Sequence, residues 1–248
     1  MIFRAEVYTR KQLCETLENS SIELVYSPLR LIEPALSQYS DRVILVPPVY
    51  LADCEKKVTQ RLIQLKESGF NKALAHTVGH IDMLKSLGFE IYGGVRLNCT
   101  NSDAVHLLAE YELKDAIVSE ELTAQRLNKL EKPIQLGFVA YGFLPLMITR
   151  RCPIKNGKPC GTECCRKSIT DRSGRSLNVI CSENTVEILN SDVLMLSDKL
   201  ERFANMDFAV LKFTVEDDVN PIIKKYINCQ ACEMPNFTRG LYFRGVNK

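Results

Sequence analysis

The feature that most constrains this chain is a rhythm. From the N-terminus to residue 140, short runs rich in Val, Ile and Leu alternate with amphipathic segments, and strand starts recur about every twenty to thirty residues. Period-2 or continuous apolar runs mark strands, and 3.6-residue periodicity marks helices. The expected strands are 5–8, 23–26, 43–46, 72–77, 90–96, 116–119 and 135–140. Helical patterns lie between them at 55–67, 81–87, 104–110 and 124–130. Thr9, Ser102 and Thr123 stand where N-caps belong, and Gly69 and Gly88 where C-caps belong. Strand–helix alternation of this kind requires a parallel sheet. About seven or eight units point to the α/β class and a (β/α) TIM-like barrel that need not have all its units regular. An open doubly wound sheet is the alternative, although no GxGxxG follows the first strand. We expect one barrel domain spanning 1–248.

The rhythm breaks after Ala140. Residues 141–182 hold Cys152, Cys160, Cys164, Cys165 and Cys181, interspersed with Arg150, Arg151, Lys155, Lys158, Arg166, Lys167, Arg172 and Arg175. This reads as a Cys-rich insertion leaving the end of the seventh strand, the barrel face whose loops carry chemistry. A strand–helix rhythm returns at 193–196, 199–204, 209–214 and 221–227. The aromatic, basic tail from Asn236 is expected to pack back on the barrel.

A formal net charge of +2 gives no global charge argument for nucleic acid, membrane or acidic substrate, and ten cysteines invite metal chemistry. No apolar run reaches the roughly 18 residues of a membrane-spanning helix, and the N-terminus lacks the apolar core of a secretory signal. A cytoplasmic protein without membrane contact is expected, and there clustered thiols more often bind metal than form disulfides. Four thiolates from one segment suit tetrahedral zinc or an iron–sulfur cluster. The spacings are irregular, and by themselves they leave both open. Cys229 and Cys232 form a separate, late CxxC.

Five segments carry a resemblance. The run from Gly142 to Cys152 is similar to the signature of the collagenase-like peptidase family U32, with Gly142, Leu144 and Cys152 in register. Residues 160–166 look like its Cys-x3-Cys-Arg, and 188–194 like its Phe-Asn-Ser-x-Asp-Leu. Residues 118–122 resemble the Ser-Arg-Glu-Leu that closes its sixth strand, and 238–243 its C-terminal Thr-x-Gly-Phe-Tyr. The matches run from about Asn98 onward, as in the second barrel of longer family members. Departures are specific. Gly137 and Val139 stand for the signature's leading Glu and aromatic residue, Pro145 for its first Cys, and Arg150 for a Gly.

The resemblance implies an iron–sulfur enzyme, or enzyme subunit, supporting oxygen-independent hydroxylation of a ring, most often an RNA base of tRNA or ribosomal RNA. It implies a [4Fe–4S] cluster, with zinc as the alternative. The ligands would be Cys152, Cys160, Cys164 or Cys165, and Cys181, which replaces the thiolate lost at Pro145. Arg150, Arg151, Arg166 and Lys167 would meet substrate, since cations offset the thiolate charge and can bind phosphate. The expected partners are RNA and a second chain or domain of the same family. A non-catalytic RNA-docking barrel is the alternative. A peptidase, as the family name has it, needs an activated nucleophile or a metal-bound water. The chain has no HExxH, and His76 and His80 read as a rim histidine and a helix histidine.

Overall fold

The computed structural model describes residues 1–51, 53–154, 168–181, 185–232 and 236–245. Seven strands run in chain order: β1 (Ile2–Glu6), β2 (Ile22–Pro28), β3 (Val43–Val46), β4 (Lys72–Ala75), β5 (Glu90–Gly93), β6 (Asp115–Ile117) and β7 (Gln135–Gly142). Each pairs in parallel with the next. The chain then leaves for four antiparallel strands: β8 (Pro145–Thr149), β9 (Ser168–Thr170), β10 (Ser176–Cys181) and β11 (Val186–Leu189). It passes through a short β12 (Val193–Met195) and returns as β13 (Phe208–Lys212). β13 pairs in parallel with β1 on one side and β7 on the other, closing an eight-stranded parallel barrel.

The helices follow the local signals. In α1 (Arg10–Glu18), Thr9 and Gln12 form a capping box, each side chain satisfying the other's backbone N–H. α2 (Glu55–Glu67) covers the expected span and turns its Val58, Leu62 and Leu65 inward. α3 (Val78–Ser86) is capped by Thr77, and α5 (Ala124–Leu127) by Thr123. α4 (Ser102–Glu110) is capped by Asn101 rather than by Ser102. Asn101 has the extended backbone of a cap and accepts from the Ala104 N–H at 2.8 Å, while the Ser102 hydroxyl accepts instead from Glu131 N–H. α5 stops short of residue 130 because the Asn128 side chain bonds the Arg202 carbonyl and the Asn205 N–H. α6 (Asn220–Ile227) begins with Pro at its first turn. Among the described residues no helix is long and apolar enough to cross a membrane.

One expectation shifts. Residues 193–196 do not re-enter the barrel. β7 is long, and past the end of β6 its free edge takes β12 antiparallel, Leu194 opposite Gly142 and Met195 opposite Tyr141, while its other edge stays paired with β13 as far as Tyr141. β12 in turn pairs with the tail strand β14 (Phe237–Thr238). The tail does pack back. The buried Tyr242 donates its hydroxyl to the Val139 carbonyl at 2.9 Å and meets Phe203 edge-on, at 5.3 Å between ring centroids.

Two glycines make closure possible. At Gly142, φ is +129°, and a Cβ would stand 2.4 Å from the Lys212 carbonyl oxygen. At Gly137 a Cβ would collide with the Phe208 ring at 2.1 Å. That ring fills the barrel interior beneath the Arg4 guanidinium, 3.6 Å away. Arg4 is buried inside the barrel and bonds Asp115 at the start of β6, the Tyr26 hydroxyl at 3.2 Å and Glu23 at 2.8 Å. A cation with its counter-charges thus plugs the N-terminal end, and apolar side chains fill the layers above it.

Candidate active site at the barrel mouth

The opposite end of the barrel is where the strands deliver their last polar residues. Glu6 ends β1 and Lys212 ends β13, with Nζ 3.2 Å from Glu6 Oε1. His76 follows β4, Arg96 follows β5 and Glu120 follows β6. From the β7 end, the Tyr141 hydroxyl donates to Glu216 Oε1 at 2.8 Å. The four-stranded sheet roofs this ring of groups. Pro145, Ile180 and Glu187 of β8, β10 and β11 line a cavity of about 80 Å³ together with Glu6, His76, Arg96 and Lys212. Glu187 reaches down from the roof to within 2.9 Å of Arg96 Nη2.

The electrostatics are those of a partly dry pocket. Burial pushes the His76 imidazole well below the usual histidine range, helped by His80 and the nearby Arg96 and Lys212 charges, so it is neutral at pH 7. Burial lowers His80 to about 4. Its Nδ1 accepts from the His76 backbone N–H at 3.2 Å. Burial opposes the Lys212 charge, but Glu6, Glu187 and Glu120 outweigh it, and its pKa is raised. Burial also raises the Glu120 carboxyl, against the pull of Lys212. His76 Nδ1 and Thr214 Oγ1 are buried without a hydrogen-bond partner.

The cysteine-bearing sheet has two faces. Ile180 and Glu187 look into the cavity. On the other face Val179, Val186 and Ile188 form a small apolar cluster of their own. Cys152, Ile154, Ile169, Leu177 and Cys181 pack against it, Cys152 and Cys181 both half-buried. The period-2 alternation of β10 puts adjacent Ile180 and Cys181 on opposite faces. Cys160, Cys164, Cys165, Arg166 and Lys167 lie outside the described residues. Among the described residues, no group of three or more His, Cys, Asp or Glu side chains is arranged to hold a metal ion. Of the expected substrate-binding residues, Arg150 pairs with Asp53 at 2.6 Å and lies over the Tyr50 ring, and Arg151 is exposed. Cys229 lies far from the roof, beside Met1 and Ile2 at the N-terminal end of the barrel.

Glu6, Arg96, Glu187 and Lys212 carried no motif. Their one signal in the sequence is a charged residue directly after an apolar strand run, clear at Glu6 and Lys212 and absent at Glu187, which sits within a strand of the insertion. No curated protein matches the chain. The family model for peptidase family U32 matches residues 35–216. That span begins well before the motifs around Asn98 and ends before the tail motif at 238–243. It takes in six of the eight barrel strands and the whole cysteine-bearing sheet. The chain belongs to peptidase family U32.

Proposed function

We propose that this U32-family chain is a cytoplasmic iron–sulfur protein supporting oxygen-independent hydroxylation of an RNA base, and that residues 1–248 act as one barrel domain with 141–182 as its cysteine-bearing insertion. One observation carries the reading. Cys152 and Cys181 pack against the same apolar cluster on the outer face of the roof sheet, and the chain between them contains Cys160, Cys164 and Cys165. The two ends of the cysteine segment are therefore on one face, as four ligands to one centre require. The donor set is all thiol, which suits iron–sulfur chemistry and also zinc. The ligands on this reading are Cys152, Cys160, Cys181 and one of Cys164 and Cys165. A bound [4Fe–4S] cluster would supply one-electron redox chemistry. The chain's own contributions are to exclude water on the apolar face, to offset thiolate charge with Arg150, Arg151, Arg166 and Lys167, and to hold a substrate ring in the mouth beneath.

A second reading has its own support. In the mouth Glu6 pairs with Lys212 and Glu187 with Arg96, so no charged group of these four stands unpaired for catalysis, and on this reading the barrel docks RNA, or a second family chain, without turning over. Proteolysis has little support. Among the described residues no histidine ring is hydrogen-bonded to a Ser, Thr or Cys side chain, and His106 pairs with Glu131 at the surface.

Anaerobic purification with iron, sulfide and zinc analysis, followed by mass spectrometry of nucleosides from cells lacking the chain, tests the proposal. Four irons and four sulfides per chain and the loss of one hydroxylated nucleoside are expected. Stoichiometric zinc without iron refutes the cluster, and an unchanged nucleoside profile refutes the hydroxylase reading.

A further inference from the structure

A groove on the outer wall of the barrel, beside the mouth, gathers positive charge. It lies between the short 3-10 turn Leu29–Leu31 that follows β2 and the first turns of α2. Lys57, Gln60, Arg61 and Gln64 line it from α2, and residues three, four and seven apart share one face of a helix. Arg30 lines it from the other side, and the buried Leu29 and Val58 complete the lining. Two guanidiniums, an ammonium and two amides all offer N–H groups. Among the described residues no carboxylate lines the groove. Glu33, close by in the chain, is held by Arg10 at 3.3 Å, and Glu55 and Glu67 of α2 lie outside the lining.

Two of the three cations are held in place by neutral contacts. The Arg30 guanidinium lies over the Tyr8 ring, 4.6 Å from its centroid, and donates to the Tyr8 carbonyl at 3.0 Å. Arg61 donates to the Ile32 carbonyl at 2.6 Å and to Gln64 Oε1 at 3.4 Å. A guanidinium carries five N–H groups, so both arginines keep donors beyond these contacts, and much of the cost of ordering them is already met. Like charges gathered without a counter-charge repel, and an anion that bridges them relieves the repulsion. A tetrahedral phosphate accepts from several directions at once and from arginine in bidentate fashion, whereas a planar carboxylate has two oxygens for three cations. We infer that Arg30, Lys57 and Arg61 bind a phosphate group. The cavity of about 330 Å³ leaves room for an attached sugar. Arg30 also lines the mouth cavity, so a phosphate held here adjoins whatever occupies the mouth.

The site goes beyond the proposed hydroxylation and rests on neither the cluster nor the mouth. Calorimetric titration of the full chain with ribose 5-phosphate tests it, with ribose as the uncharged sugar and glucuronate as a sugar carboxylate. One-to-one binding of the phosphate alone is expected. Lys57→Gln should weaken it about fivefold and Arg30→Gln about tenfold. Lys114→Gln, just before β6 at the opposite end of the barrel, should leave it unchanged. Lys57 is exposed, so its variant keeps the fold, which unchanged thermal unfolding verifies. No binding of ribose 5-phosphate, equal binding of ribose or glucuronate, unchanged affinity in the folded Lys57→Gln protein, or an equal loss in Lys114→Gln overturns the inference. A five-nucleotide single-stranded RNA separates the sources of the phosphate. Displacement of ribose 5-phosphate by this RNA, with RNA affinity reduced in Lys57→Gln, supports a backbone phosphodiester. Ribose 5-phosphate binding that the RNA does not displace supports a free phosphorylated molecule. Iron-free chain that binds ribose 5-phosphate keeps this inference and removes the cluster reading, and iron-loaded chain that does not bind it does the reverse.

Discussion

Replacing Arg4 by Met should cost this protein about 3–5 kcal/mol, the range for removing one partner of a buried ion pair. The guanidinium is 3% exposed and Asp115 1% exposed. Without Arg4, the Asp115 carboxylate keeps only its backbone contacts, and Tyr26 and Glu23 lose a donor. Against a total stability of roughly 5–15 kcal/mol, that lowers the melting temperature by about 6–20 °C for a chain of this size. The loss depends on pH. Burial pushes the Asp115 carboxyl up to about 6 even with Arg4 pulling it down. A carboxyl with a raised pKa in the folded state binds more protons folded than unfolded, so its contribution falls as pH rises through that window. Without Arg4 the folded pKa rises further, and the penalty keeps growing above pH 6. The variant should therefore lie closest to wild type near pH 5 and furthest from it at pH 7–8. Urea unfolding followed by circular dichroism at pH 5, 6 and 7.5 measures this. Combining Arg4→Met with Asp115→Leu should recover more than half of the loss, because no unpaired charge remains. A cost under about 1 kcal/mol for Arg4→Met, or one independent of pH, would show that the plug is not a coupled buried pair.

Other outcomes follow from single contacts. Gly137→Ala sets a Cβ into the Phe208 ring and should destabilise by about 1–3 kcal/mol through overpacking, read in the same urea assay. Tyr242→Phe loses the hydrogen bond to Val139 and should cost about 1 kcal/mol, with faster proteolysis of the tail. Cys152→Ala and Cys181→Ala should each abolish the visible absorption of anaerobically purified protein, whereas changes at Cys14, Cys54 or Cys99 should not. Full iron loading of Cys181→Ala would move the fourth ligand elsewhere. Binding of RNA should weaken steeply between 50 and 200 mM salt as counterions return to phosphate, and salt-independent binding would count against contacts from Arg151 and its basic neighbours.

The barrel could be read before any coordinates because it is written locally. Val43–Val46 and α2 fall where the periodicity put them, and Thr9, Thr123, Gly69 and Gly88 sit at helix ends for reasons of backbone chemistry within a few residues. The excursion after the seventh strand was legible for the same reason: the cysteines and turn formers interrupt a regular pattern. What the sequence could not reveal depends on residues far apart in the chain. That β13 rather than 193–196 closes the barrel follows from the length of β7 and the room that Gly137 and Gly142 leave beside β13. The mouth is assembled from Glu6, Arg96, Glu187 and Lys212, each unremarkable alone. They become a site only because strand ends converge on one face and the roof sheet lowers Glu187 onto Arg96. Periodicity records which way a side chain points within its own element, whereas pairing of charges across the barrel is set by sheet closure, which no local pattern encodes.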